Sequence, residues 1–543
     1  MDRCRTASNL TFVPVKTTVE TVTAIAQFSY VRVVRAMPTL RPFVPSLIRS
    51  IETHHNVTLP EHSVVDQAPK VVIFDGGIPN PSPVDPWVRL IEPDRIGPAD
   101  PAYLEHGLGV TSAFLFGAIT PRVQLSRPFT RLDHVRVLDA DHSEDFMYYD
   151  VLDRILNHLD QHPSTYDFVN VSLGPDLPVS DDEVTRWTAE FDQRFASGTS
   201  VVTIAAGNSG LYDSQAGLNR VQPPSDGVNV LAIGASDRQG GSWLRAPYSS
   251  TGPGKTPGVV KPDAVAFGGS VHEPFYVLSA QAPVATPQIV PTQGTSFAAP
   301  LALRSAAAVR AQLGSQCGGL AIRALLIHRA DTRGLSRTEV GWGQIETDFE
   351  RLITCEDNEV LVIFQGDLPS NTFLRAPVPL PRVPLTGTII ITATIVIAPE
   401  TESEFPNVYT RHGVELVYRP NDTKFSYNSN GDRSAHQVSG EFFSGSAIFP
   451  KSEYALRHDE LKWEACLKAS KRHQPTSISG PVFDIYHHTR AQGKPIGNPT
   501  AIPYALVIGV QTPKMPTFYD EVVRTYANVL VPLRPRTRLR YQQ

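Results

Sequence analysis

Gly294-Thr295-Ser296-Phe297-Ala298-Ala299-Pro300 sets a serine on a Gly-Thr turn directly ahead of the alanine-rich run Ala298 to Val309. Such a run reads as a buried helix, so Ser296 stands at a helix N-terminus. Unpaired backbone N–H groups there favour developing negative charge. A serine in that setting is a candidate nucleophile. It still needs a base, a group to orient the base, and donors for an oxyanion.

Upstream of this stretch, short continuous apolar runs recur: Lys70 to Gly77, ending in a carboxylate and two glycines, Asp133 to Leu138, Asp167 to Leu173, Ser200 to Ala206 and Val228 to Ala235. Runs of this length suit strands buried on both faces, as in a parallel sheet. Helical patterns separate several of them, at His106 to Gly117, Phe146 to Leu159 and Asp181 to Ala196. Ser180 is the expected cap of the last, with Asp181, Asp182 and Glu183 in its first turn. Alternating strands and helices predict an α/β doubly wound parallel sheet flanked by helices, over residues 69–350. Residues 1–68 read as a leader, with Thr21 to Val34 strand-like and Val44 to Ile51 helical. Beyond residue 359 the runs Val360 to Phe364, Gly387 to Ile397, Val414 to Tyr418, Ala505 to Val510 and Ala527 to Leu533 are β-rich. They predict a C-terminal β-sandwich domain over 359–543.

The catalytic accessories come from the ends of these runs. Asp75 closes a buried strand, where sheets of this type gather ligands and reactive groups; Asp75-Gly76-Gly77 is also sound turn chemistry by itself. His106 opens a stretch of small residues, Gly107 to Ala113, that would let a helix pack close and hold the imidazole rigidly. A lone histidine is more often a satisfied core or surface residue. Asn208, in Ala205-Ala206-Gly207-Asn208-Ser209-Gly210, offers an amide that donates to an oxyanion without titrating. Its bland reading is a turn. Ser172-Leu173-Gly174 follows a strand and offers an edge that an extended peptide can join, with Ala206 and Gly207 as the second wall.

Taken singly these are weak; together they are specific. Asp75, His106 and Ser296 follow the chain order Asp, His, Ser that subtilisin displays, and the chain resembles the subtilisin-like serine peptidases (the S8 or subtilase family). Gly294 to Pro300 matches the motif Gly-Thr-Ser-x-Ala-x-Pro completely. The resemblance implies Ser296 as nucleophile, His106 as base, Asp75 as its orienting carboxylate and Asn208 as oxyanion donor. Asn170 to Gly174 matches the family's Asn-x-Ser-Leu-Gly substrate strand, implying substrate contacts at Ser172, Leu173, Gly174, Ala206 and Gly207. Ala324-Leu325-Leu326 and Gly341-Trp342-Gly343 match features that follow the serine helix. The base motif departs: the family's His-Gly-Thr-His-Val-Ala-Gly is here His106-Gly107-Leu108-Gly109-Val110-Thr111-Ser112. A narrower likeness, in Asp75 to Pro79, His106 to Leu108, Val137 to Asp139, Leu218 to Val221 and Pro247 to Ser250, is to a bacterial intracellular branch. That branch includes the subtilase of two-gene anti-phage defence systems, and the likeness implies an AAA-type ATPase partner. The sedolisins share the fold and a similar serine motif but use Glu and Asp partners, which His106 and Asn208 oppose.

Composition narrows the rest. The 543 residues are 41% hydrophobic and 19% charged, with a formal charge of -5, which makes no case for nucleic acid or an anionic membrane. No apolar stretch is long enough to cross a bilayer, and Met1 to Glu20 lacks the apolar segment of a secretory signal. The cysteines, Cys4, Cys317, Cys355 and Cys466, form no CxxC pair. The expectation is a cytoplasmic peptidase acting on protein or peptide, with no cofactor and no metal. His487-His488 would point to opposite faces of a strand, Asn428 to Asp432 makes a turn, and the arginines of 534–540 form a solvated tail. The rival of another class is a silent scaffold whose β domain binds a protein.

Overall fold

All five residues of Val71–Asp75 (β3) are buried, as a strand covered on both faces requires. The computed structural model describes residues 4–41, 55–140, 147–163, 165–255, 257–370, 372–443, 461–490, 493 and 501–533. The expected helix at Val44 to Ile51 and the basic tail fall outside them. In the N-terminal segment a helix, α1, spans Val19–Ala26, followed by two short strands, β1 (Leu40–Arg41) and β2 (His55–Asn56). After β3 come β4 (Val88–Ile91), α2 (Pro101–Phe116), β5 (Leu132–Arg136), α3 (Met147–Gln161), β6 (Phe168–Val171), β7 (Gly174–Pro175) and α4 (Arg186–Arg194). The chain continues with β8 (Val201–Ala205), β9 (Leu231–Ser236), β10 (Ala264–Phe267), β11 (Phe275–Leu278), β12 (Gln288–Thr292), α5 (Thr295–Leu313) and α6 (Gly319–Arg329).

Seven strands form one parallel sheet in the order β10-β9-β8-β6-β3-β5-β4. The order reverses between β3 and β6, the hallmark of double winding. A small antiparallel sheet, β11-β12-β2, leads into α5, and β1 pairs antiparallel with β7. The fold is therefore the expected α/β arrangement, a doubly wound parallel sheet flanked by helices. No helix among the described residues is long and apolar enough to cross a membrane.

From residue 359 the strands are antiparallel. β13 (Glu359–Leu368), β14 (Phe373–Pro377), β15 (Ile389–Ile397), β16 (His412–Arg419), β17 (Cys466–His473), β18 (Val482–Thr489) and β19 (Ile502–Gln511) form two sheets, β13-β19-β15-β17 and β14-β18-β16. Ile391, Ala393 and Leu506 of the first and Val414, Phe483 and Ile485 of the second belong to one apolar core, which also includes α6. Three local expectations fail. Thr21 to Val34 contains α1 rather than a strand: without a sheet edge to join, its β-branched residues satisfy their backbone locally. α4 starts at Arg186, capped by the Thr185 hydroxyl, because Asp181 pairs with Arg220 and Glu183 with Arg32 instead of beginning a helix. Ala527 to Leu533 forms no strand, and its Val529 and Val531 lie exposed after a helix over Phe518–Thr525.

Candidate active site

The reversal between β3 and β6 opens a crevice at their carboxyl ends, where Asp75 closes β3 and Ser172 follows β6. Asp75 is fully buried. Its Oδ1 accepts the Gly76 N–H at 2.7 Å and lies 2.7 Å from His106 Nδ1. A carboxylate only accepts, so Nδ1 carries the proton and Nε2 keeps its lone pair. That Nε2 is buried and has no hydrogen-bond partner among the described residues.

His106 was expected to open a helix; it stands instead in the second turn of α2, which begins at Pro101 under the Asp100 carboxylate cap. Small residues after it bring α2 against the strand ends. A Cβ on Gly107 would lie 2.0 Å from the Gly77 carbonyl oxygen, so only glycine permits this approach.

Ser296 is the second residue of α5. Its Oγ donates to the Ser172 carbonyl at 3.3 Å, and Ser172 Oγ donates to the Ser296 carbonyl at 2.9 Å. That second bond is possible because the helical partner of the Ser296 carbonyl would be the N–H of residue 300, which is proline. Asn170 Nδ2 donates to Ser172 Oγ, and Thr203 Oγ1 donates to Asn170 Oδ1, so a buried polar chain ties β8 and β6 to the serine helix. The sequence had marked Asn170 only as part of a motif and missed Thr203. An amide inside an otherwise apolar run was the available signal.

Asn208 follows β8, half-buried. Its Oδ1 accepts both the Thr295 N–H, at 3.1 Å, and the Thr295 hydroxyl, at 2.9 Å. Two donors fix the amide orientation, and Nδ2 lies toward Gly294, where an added Cβ would be 3.5 Å away. Asn208 thus caps α5 with its oxygen and leaves its N–H on the side of Gly294, two residues before Ser296. Leu173, Ala206 and Gly207 are buried; Gly174 pairs with Arg41 of β1. Gln222 links the two expected walls, its backbone N–H donating to Ala206 and its Nε2 to Asp176 Oδ1 at 3.3 Å. Burial pushes the Cys317 thiol up to about 11 and the Cys466 thiol up to about 12, which keeps both protonated and inert.

The geometry just described agrees with the family comparison: residues 91–343 match the model of the subtilase family, Peptidase S8. That stretch is similar to the subtilase family, and the parallel-sheet region has its fold. The matched span begins after Asp75, which is joined to it by the 2.7 Å contact with His106. No curated protein matches the sequence significantly. Among solved structures the chain is similar to the patellamide maturation protease PatA, at 19% identity and a TM-score of 0.39, covering 53% of this chain and 97% of that one. The prenylagaramide maturation protease PagA matches at 20% identity and 0.40, covering 53% and 95%. The epidermin leader peptide processing serine protease EpiP from Staphylococcus aureus matches at 16% and 0.39, covering 54% and 76%.

The departure from the family's usual base motif has a steric counterpart here. Gly109 stands where the family has its second histidine, and a Cβ there would lie 3.0 Å from Cε1 of Phe297. Phe297 fills that space with its ring 5.9 Å from His106 and stacked 5.8 Å from Phe275. The residue after the serine has taken the room that a side chain at 109 would need.

Proposed function

We propose that the chain is a serine endopeptidase that cleaves peptide bonds through Asp75, His106 and Ser296. The supporting observation is the buried Asp75–His106 pair, whose free Nε2 lies beside the helix that begins with Thr295-Ser296. Rotation of the Ser296 hydroxyl from the Ser172 carbonyl to His106 Nε2 would complete the relay. Nε2 then takes the hydroxyl proton as Oγ bonds to the substrate carbonyl, and Asp75 steadies the imidazolium. The tetrahedral oxyanion is held by Asn208 Nδ2 and the Ser296 backbone N–H. His106 returns the proton to the departing amine, leaving an acyl-enzyme. Water, deprotonated by the same imidazole, then hydrolyses the ester and frees Ser296. Substrate joins the edge of Ser172 to Gly174 as an antiparallel strand.

That edge is already used by the chain itself. Leu40 and Arg41 pair with Pro175 and Gly174, the Asp176 N–H donates to the Thr39 carbonyl at 2.9 Å, and Leu40 is buried in the cluster that includes Tyr103 and Leu173. On this reading the leader, residues 1–68, restrains an intracellular peptidase by occupying its substrate edge. Leu40→Asp should then raise peptide turnover several-fold; unchanged or lower turnover in a folded protein would refute the restraint. The AAA-type ATPase partner and a role in phage defence rest on the motif likeness alone, and are tested by phage challenge of cells carrying wild-type or Ser296→Ala protein.

One observation favours a second reading, a silent scaffold: the Ser296 hydroxyl is turned to Ser172 and not to His106. A fluorophosphonate probe and a peptide assay at neutral pH separate the two. Ser296→Ala should abolish labelling and lower kcat by about 10⁶, and Asn208→Ala should lower it about 10²–10³-fold, as in the subtilisin measurements. Equal turnover by wild type and Ser296→Ala would refute the peptidase.

A further inference from the structure

A second histidine lies buried beneath the Asp75–His106 pair. His134, on β5, is paired with Ile73 of β3 and is fully inaccessible to solvent. Its Nε2 is 3.1 Å from the Gly77 backbone nitrogen, and its Nδ1 is 2.9 Å from Thr111 Oγ1. The Gly77 N–H can only donate, so Nε2 must be unprotonated; a neutral ring then carries its proton on Nδ1 and donates it to Thr111. Both contacts bear on the triad. Gly77 closes the turn that starts at Asp75, and its carbonyl abuts Gly107, next to His106. Thr111 lies on α2, the helix that carries His106.

We propose that His134 is a positioning residue for the catalytic pair: held by Thr111 in the Nδ1–H tautomer, it accepts the Gly77 amide and so fixes the Asp75 turn and α2 in one register. The roles assigned to Asp75 and His106 are those of the proposed peptidase, and the inference rests on that reading. Burial pushes His134 down to about 4, which keeps the ring a neutral acceptor at physiological pH. Protonation would set an Nε2–H against the Gly77 N–H, two donors with nothing between them.

The test uses the full chain. In ¹⁵N-histidine NMR, His134 should show a protonated Nδ1 and a bare Nε2, a readout independent of turnover; an Nε2–H tautomer overturns the proposal even if no peptidase activity is found. His134→Gln keeps an acceptor near the Nε2 position, whereas His134→Asn keeps only a donor near Nδ1. His134→Asn should lower kcat about 10- to 100-fold at unchanged KM, in the range of losses for supporting shells around a site, and should shift the pH dependence of kcat/KM. His134→Gln should stay within about threefold of wild type, as expected for a retained hydrogen bond. Wild-type kcat and pH profile in His134→Asn, or equal losses in both variants, overturn the proposal. If His134→Asn does not fold, Thr111→Val carries the test, since it removes the partner of Nδ1 and the tie to α2; wild-type kcat and pH profile in that variant overturn it. Ser296→Ala, measured alongside, shows whether a loss of turnover belongs to the peptidase reading itself.

Discussion

Gly109→Ala tests whether Phe297 explains the missing second histidine. Gly109 lies one turn beyond His106 in α2, so by local preference alone alanine should stabilise the helix by about 1 kcal/mol. The surroundings oppose this. The new methyl would sit 3.0 Å from Phe297 Cε1 and 3.4 Å from Val277 Cγ2, against an ordinary carbon–carbon separation of about 3.5–4.0 Å. Phe297 has little room to retreat, being stacked on Phe275, which stacks in turn on Phe267 at 5.5 Å. Overpacking of this kind costs about 1–3 kcal/mol, so the net expectation is a loss of about 0–2 kcal/mol, with the strain passed to the His106 ring and the Ser296 backbone. Phe297→Leu alone opens a gap and should cost about 1–3 kcal/mol. In the double variant the two faults cancel in part, giving a favourable coupling of about 1 kcal/mol or more. Urea denaturation of the four proteins, with kcat/KM on a peptide, measures the cycle. A Gly109→Ala protein about 1 kcal/mol more stable than wild type, additive with Phe297→Leu, would refute the steric account.

Acid should destabilise the protein before carboxylates titrate. His134 is pushed to about 4 from an ordinary value of 6.5, so above pH 6.5 both folded and unfolded chains hold it neutral and its contribution is complete. As pH falls from 6.5 to 4 the unfolded chain takes up the proton first, and about 3 kcal/mol is lost. His328, also pushed down by burial, adds to the same slope. Urea midpoints that stay flat from pH 7 to 4.5 would contradict this. Truncation after residue 358 should leave a protein that aggregates or fails to unfold cooperatively, because it strips one face of α6; a monomeric, active fragment with a sharp transition would refute that view.

The parallel sheet was legible because each of its central strands is a continuous apolar run, and a strand buried on both faces writes that signature without ambiguity. The four catalytic candidates were legible because glycine, proline and alanine around them restrict what the backbone can do. Pro300 is the clearest case, since it frees the Ser296 carbonyl for the Ser172 hydroxyl. His134 was not legible. It sits in Leu132-Asp133-His134-Val135-Arg136, which reads as an ordinary strand, and its partners Gly77 and Thr111 are 57 and 23 residues away. Nor was the pairing of Leu40 and Arg41 with Pro175 and Gly174, since a two-residue strand carries almost no periodicity of its own.

The relation between the two halves of the chain turns on α6. Gly319 to His328 are all buried, Arg323 and His328 included, and a helix buried on every face must be covered on every side. The parallel-sheet region supplies only part of that cover. The rest comes from β15 and β19, which pack on α6 and share its core. His328 Nδ1 meets Thr394 Oγ1 of β15 at 3.0 Å, and its ring lies so close to β19 that a Cβ on Gly509 would fall 2.7 Å from Nε2. At the end of the helix Lys468 of β17 donates to the Ile327 carbonyl at 2.9 Å and to the Ala330 carbonyl, filling acceptors that a helix C-terminus leaves open. Burial lowers Lys468 to about 8, the cost of bringing an ammonium to that place. A further clasp joins Tyr409 to Asp192, hydroxyl to carboxylate at 2.7 Å, with both groups fully buried. A module merely tethered for binding would meet the parallel-sheet region through a wetter, more polar contact. The antiparallel sheets instead complete the core around a helix that immediately follows the one bearing Ser296, so the stability of the serine's own surroundings depends on them.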